Sequence, residues 1–279
     1  MGIVQNARLE IREMGQIMAT VNATFEKLPL GVGSIISESF SLLFGNFVKV
    51  IILGFIATFG GFVINGLLFG FQEAAGLADS EFSGAGVAAT LVSLVIQTLF
   101  YGVAIATLVQ LAYDSKLGRS NSIGYYFSTA LKVVVPIVIF NIVFSILVAI
   151  GSIALLIGGL WVAAVFYVFI PIAVIERAGF GSLGRSAQLT KEYRWPIAGL
   201  IVVVVVLMML IGFVIGGIAG AVLLSGSAST TNAIVFGFVM SAISAFAYGF
   251  GGIAVALVYA RLREIKEGIG VDEIAAVFD

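Results

Sequence analysis

The chain reads as an all-α polytopic membrane protein: six transmembrane helices arranged as three hairpins, each preceded by a short amphipathic helix in the membrane interface. Three observations predict this. Of 279 residues, 61% are hydrophobic and only 10% are charged, against about 25% charged in a typical soluble domain. The apolar residues are gathered into stretches of the roughly 20 residues that a helix needs to cross a bilayer. Once six spans are drawn, all 14 Lys and Arg residues fall on one side of the membrane.

Residues 1–30 form the first segment, a cytoplasmic amphipathic helix. Val4, Ile11, Met18 and Phe25 recur every seven residues, with Ala7, Met14, Val21 and Leu28 at the companion positions, the repeat of a helix offering one apolar seam. Such a helix lies on the membrane or bundle, engages a protein partner, or pairs with a second copy. Charges interrupt this segment throughout, so it lacks the continuous apolar run of a secretory leader.

The transmembrane domain covers residues 31–260, with spans at about 46–71, 86–113, 133–150, 153–175, 196–224 and 232–260. The stretch from Val133 to Ile175 carries no charge and is too long for one span, so it divides into two, with the turn expected at Gly151–Ser152. The expected interfacial helices precede the first, third and fifth spans, in "GSIISESFSLLFGNFVKV", "NSIGYYFSTALKVVVP" and "GFGSLGRSAQLTKEYRWP". In the third of these, Leu183, Ala187 and Leu189 share a face opposite Arg185, Gln188 and Lys191, the pattern of a helix lying flat at the headgroups. Pro196 then falls at a helix start, where its missing N–H would have no partner anyway. Residues 261–279 are a cytoplasmic tail, in which Val271, Ile274, Ala275 and Phe278 have helical spacing.

The basic residues orient the whole. They precede the first span, join the second to the third and the fourth to the fifth, and follow the sixth, so both termini are expected in the cytoplasm and the protein in the bacterial inner membrane. A five- or seven-span topology would break this segregation.

The stretch "PIAVIERAGFGSLGRSAQLTKEYRWPIAGL" resembles a bacterial six-span integral membrane family of the glycerophosphodiester phosphodiesterase membrane-domain type. The resemblance rests on Pro171 near the end of the fourth span, Glu176, the Arg185–Ser186 pair, Lys191 after Leu-Thr, and Arg194–Trp195 at the start of the fifth span. It implies a fold and an inner-membrane location. It carries over no catalytic residue, because the family is named for a soluble enzyme domain that this chain does not contain.

Composition narrows the chemistry. The sequence has neither Cys nor His, which excludes thiol chemistry, disulfides, Cys/His zinc sites and histidine general bases. No Gly-rich run continues into the GK[ST] of a phosphate loop, and a net charge of −1 offers nothing to nucleic acid. No ionisable residue lies near mid-bilayer, where proton- or sodium-coupled transporters carry theirs. Catalytic residues, cofactors and metals are therefore not expected.

Two sets of residues remain. Gly212, Gly216 and Gly220 on the fifth span, with Ser241, Ala245 and Gly249 on the sixth, form small-residue stripes suited to close packing of those two spans or to self-association. Asn65, Gln97, Gln110, Asn141, Ser145, Ser241 and Ser244 are embedded polar residues, expected to bond between helices. Gln97 and Asn141, furthest from any interface, are the candidates for lining a path. The expected function is a non-catalytic membrane scaffold or accessory subunit acting through lipid and protein contacts. The alternative is an uncoupled transporter, channel or lipid-handling protein.

Overall fold

A computed structural model describes residues 29–77, 84–154, 156–224 and 229–268. The heptad positions Val4, Ile11, Met18 and Phe25, and the amphipathic spacing beyond Gly268, lie outside the described residues. All the described helices belong to the unit Gly31–Asp279, and among the described residues there is no strand.

Six helices are long and apolar enough to cross a membrane, and the protein is a multi-pass membrane bundle. A short helix leads into the first, third and fifth. α1 (Val32–Gly45) turns at Asn46 into the first spanning helix, α2 (Phe47–Phe69). α1 buries Ile35, Ser39 and Leu43, spaced four apart on one face. A single helical turn, Phe71–Ala74, follows α2. The second span, α3 (Gly84–Lys116), returns to the basic end. α4 (Ile123–Lys132) is started by Ser122, whose hydroxyl accepts the Tyr125 N–H at 3.3 Å, and leads at Val133 into α5 (Val134–Ala154). α6 (Leu156–Val165) returns.

The fifth and sixth spans are α8 (Arg194–Leu224) and α9 (Thr230–Glu267), entered from α7 (Ser182–Leu189). Pro196 is the third residue of α8, still within the first turn, where no intrahelical N–H is needed. Large apolar side chains cover the outward faces, Phe213 at 82% exposure and Leu67 at 72%, as lipid-facing surfaces require.

Three expectations are corrected. The helix of the third span runs on to Ala154 and that of the fourth begins at Leu156, so helix continues past the expected turn at Gly151–Ser152. Those small residues serve the hairpin's arms: a Cβ on Gly151 would stand 3.0 Å from the Gly158 carbonyl carbon, and one on Gly158 would stand 2.5 Å from the Gly151 oxygen.

The stripe of the sixth span packs on the first span, not on the fifth. A Cβ on Gly54 would meet the Ala245 backbone at 2.9 Å, one on Gly249 would overlap Val50, and the Thr58 hydroxyl donates to the Ser241 carbonyl at 3.0 Å. Gly212, Gly216 and Gly220 face open space, with nothing within 4 Å of where a Cβ would stand. The fifth span packs by its beginning, where Ile197 and Leu200 are fully buried. α9 is thus the central helix, packed most extensively on α2 and α3, with α5, α6 and α8 completing the bundle.

The third correction concerns the fourth span, which is not a continuous helix. α6 ends at Val165, a turn intervenes, Phe169–Pro171 make one helical turn, and Ile172–Glu176 continue as a π-helix that ends at Arg177 in the left-handed region. Pro171 has no N–H to give the Tyr167 carbonyl, so regular helix bonding fails across this stretch.

Candidate functional site

The irregular backbone of the fourth span requires internal compensation, because no water in the hydrocarbon region can satisfy its freed groups. α7 supplies part of it. Ser186 and Thr190 both donate their hydroxyls to the Val165 carbonyl, at 3.1 and 2.9 Å. Both are fully buried. Ser186 of the interface signature thus caps a broken helix.

Glu176 and Arg185 belong to a closed ring at the basic end. The Arg185 guanidinium donates to Glu176, at 3.2 Å from Nε, and also to Glu267. Arg263 donates to Glu267 at 2.8 Å and to the Tyr259 hydroxyl at 3.4 Å, and Tyr259 donates to Glu176 at 2.9 Å. Burial works against the Arg185 charge, but hydrogen bonds and ion pairs with the two carboxylates outweigh it and hold the guanidinium above its ordinary value. The ring fastens the end of the fourth span and α7 to the end of α9. Every member is paired, so it offers no free nucleophile or base.

Of the other residues in that stretch, Arg194 donates to the Ala187 carbonyl at 3.2 Å and sits over the Trp161 ring, Trp195 packs at a tilt against Trp161 while remaining 66% exposed, and Lys191 is exposed.

Around the start of the first span, Lys49 donates to the Ser120 hydroxyl at 2.7 Å and Lys116 pairs with Glu38 at 2.8 Å. Buried Asp114 accepts from Gln110 at 3.0 Å and from Asn121 at 2.8 Å. The backbone N–H of Asn121 donates to the Tyr126 hydroxyl, and burial of that phenol pushes its pKa up against this bond.

Two cavities, both open to the outside, lie one after the other along the bundle. The first, about 290 Å³, is a polar crevice in the half away from the basic end, with Thr58, Asn65, Gln97, Ser241 and Ser244 on its walls. The second, about 460 Å³, occupies the basic half and is lined by Phe144, Phe166, Phe169, Val204, Met208 and neighbouring apolar groups. Its polar groups are Asn141 and the tyrosines 101, 167 and 248. The broken stretch of the fourth span forms part of its wall, the setting in which irregular backbone is tolerated at membrane depth.

Tyr101 and Tyr248 line both cavities, their rings 5.2 Å apart and nearly perpendicular. Along α3 and α9 the order is crevice, tyrosine, apolar cavity, so the pair is their common wall near mid-bundle.

The two candidate path residues fall in different chambers. Gln97 is exposed and lines the crevice, donating to Ser93 of its own helix at 3.4 Å. Asn141 is 5% exposed, lines the apolar cavity, and its Nδ2 has no hydrogen-bond partner. In the crevice Asn65, 4% exposed, gives its Nδ2 to Gly61 of its own helix at 2.9 Å and leaves Oδ1 unpartnered.

The expected interhelical bonding of the embedded polar residues is thereby corrected. Asn65 and Ser145 bond to the carbonyl one turn back, Gln97 to Ser93 and Gln110 forward to Asp114, so all four bond within their own helices. Sequence reasoning also missed the two tyrosines. Their signal was a phenol in the middle of an otherwise apolar helix, a group that needs a polar neighbour when buried.

Compared with known proteins, the chain matches no family model, no curated protein and no solved structure.

Proposed function

We propose that this multi-pass membrane protein binds an apolar or amphiphilic molecule within its bundle and gives it an uncoupled route along the two cavities, without catalysing a reaction. The observation that carries this reading is an otherwise apolar cavity of about 460 Å³ with Asn141 among the polar residues on its wall. That size falls in the range of about 300–1,000 Å³ typical of small-ligand sites, which are also mostly apolar with a few placed polar groups. Among the described residues neither main cavity is lined by Asp, Glu, Lys or Arg, which supports passage without proton or ion coupling.

Gly251 provides the test. It lines the apolar cavity, and a Cβ placed on it meets nothing within 4 Å. Gly251→Phe fills the chamber from a position with room for the ring. Purified from its native membrane in mild detergent, the wild-type protein is expected to retain a specific amphiphile detectable by mass spectrometry. Gly251→Phe is expected to lose it at least ten-fold with an unchanged melting temperature. Recovery without any enriched amphiphile, but in a fixed ratio with another membrane protein, would return the scaffold or accessory-subunit reading.

A further inference from the structure

We propose that the polar crevice is a headgroup site for a neutral, hydroxylated lipid of the acylglycerol class, whose apolar chain enters the larger cavity past Tyr101 and Tyr248. This rests on the reading of the larger cavity as a site for apolar chains and adds the chemistry of the head.

Asn65, whose Oδ1 is a buried acceptor without a donor, lines the crevice together with Gln97, Ser244 and Tyr248. A wall of amides and hydroxyls, donors and acceptors together, suits hydroxyl groups, which donate and accept at once.

The electrostatics select against charged heads. Among the described residues no Lys or Arg lines the crevice, so a phosphate or carboxylate would lose its hydration without a cationic partner. An adjoining hollow of about 310 Å³ shares Asn65 and Gln97 with the crevice and adds the Glu73 carboxylate, which repels anions further. Among the described residues the crevice itself holds no carboxylate, so a cationic head would also lose its hydration there without a direct counter-ion. Two chambers of opposite polarity that share one aromatic wall match a ligand with one polar and one apolar end.

The test uses the full chain in proteoliposomes with a diazirine-bearing long-chain alkane as photoprobe. Its crosslinks are mapped by peptide mass, and dioctanoylglycerol, dioctanoyl phosphatidate and an octyl trimethylammonium salt serve as competitors. Expected are crosslinks on Phe166 or Met208, displaced by dioctanoylglycerol at concentrations at least ten-fold lower than by either charged competitor. Asn65→Leu should abolish that preference while leaving the alkane crosslink in place. Tyr248→Phe, which keeps the ring and removes only the hydroxyl, should weaken the preference several-fold even if Asn65→Leu is not recovered folded.

Equal displacement by the phosphatidate or the ammonium salt, with the crosslink intact, would overturn the headgroup assignment and leave the apolar site standing. Absence of a mapped crosslink in the wild type, with Gly251→Phe indistinguishable from it, would overturn both.

Discussion

Arg185 bridges two carboxylates that lie far apart in the chain, Glu176 and Glu267, and its loss leaves Glu176 with only the Tyr259 hydroxyl. Because the ring is partly solvated, its worth is that of a screened network, and Arg185→Ala is expected to cost about 1 kcal/mol. Thermal unfolding in detergent should show this, with the penalty shrinking at high salt. Arg185→Lys should recover only part of it, because one ammonium cannot reproduce a forked contact with two acceptors.

Ser186 and Thr190 make a sharper case. Both serve the Val165 carbonyl, so Ser186→Ala or Thr190→Val alone leaves it bonded and should be mild. The double substitution strands it in the bundle and should cost about 1–3 kcal/mol beyond the sum of the singles. Additive penalties would mean that the two hydroxyls do not share this acceptor. At this scale the signature residues Glu176, Arg185 and Ser186 were legible in the sequence as a polar segment. Their partners were not, because nothing local announces that Glu267 or the Val165 carbonyl will face them.

At the scale of elements, spacing and length told most. The three short helices before the first, third and fifth spans follow from polar-apolar alternation at helical period, and Ser122 marks the start of α4 in the usual way. The glycines were harder, since a small-residue stripe permits close packing without naming its partner. Gly158→Ala should destabilise the protein by roughly 1–3 kcal/mol, because its methyl would meet the Gly151 carbonyl.

Gly212→Ala, with open space around it, should be neutral or slightly stabilising. Comparing the melting temperatures of the two variants checks both statements. The break in the fourth span escaped the hydropathy reading because broken and continuous helices have the same apolar composition. Pro171 was the available sign, and it speaks only for the Tyr167 carbonyl four residues earlier.

For the whole molecule, the single span α3 between them places Ala75 and Ser120 at opposite ends of the bundle. The chain contains no Cys, so Ser120→Cys and Ala75→Cys are single-site reporters without background. In right-side-out vesicles a membrane-impermeant maleimide should label Cys at 75 and spare Cys at 120. The reverse would invert the expected orientation, and equal labelling of both would break the six-span topology. With no histidine in the chain, amphiphile retention should be flat between about pH 6 and 8, since no side chain with an ordinary pKa in that window exists to titrate. A steep pH dependence would point to an ionisable group acting on the route.

The sequence by itself determined that this is a membrane protein with six spans, where each begins within a few residues, and which end of the bundle carries the basic charge. These depend on hydrophobicity, length and charge along the chain, properties that each segment carries alone. The tertiary structure decided what the bundle encloses. Two chambers, the tyrosine pair between them, the unpartnered amides of Asn65 and Asn141 and the ring closed by Glu267 arise only when helices distant in sequence are packed together. Close packing between particular side chains is not encoded in the hydropathy of either helix.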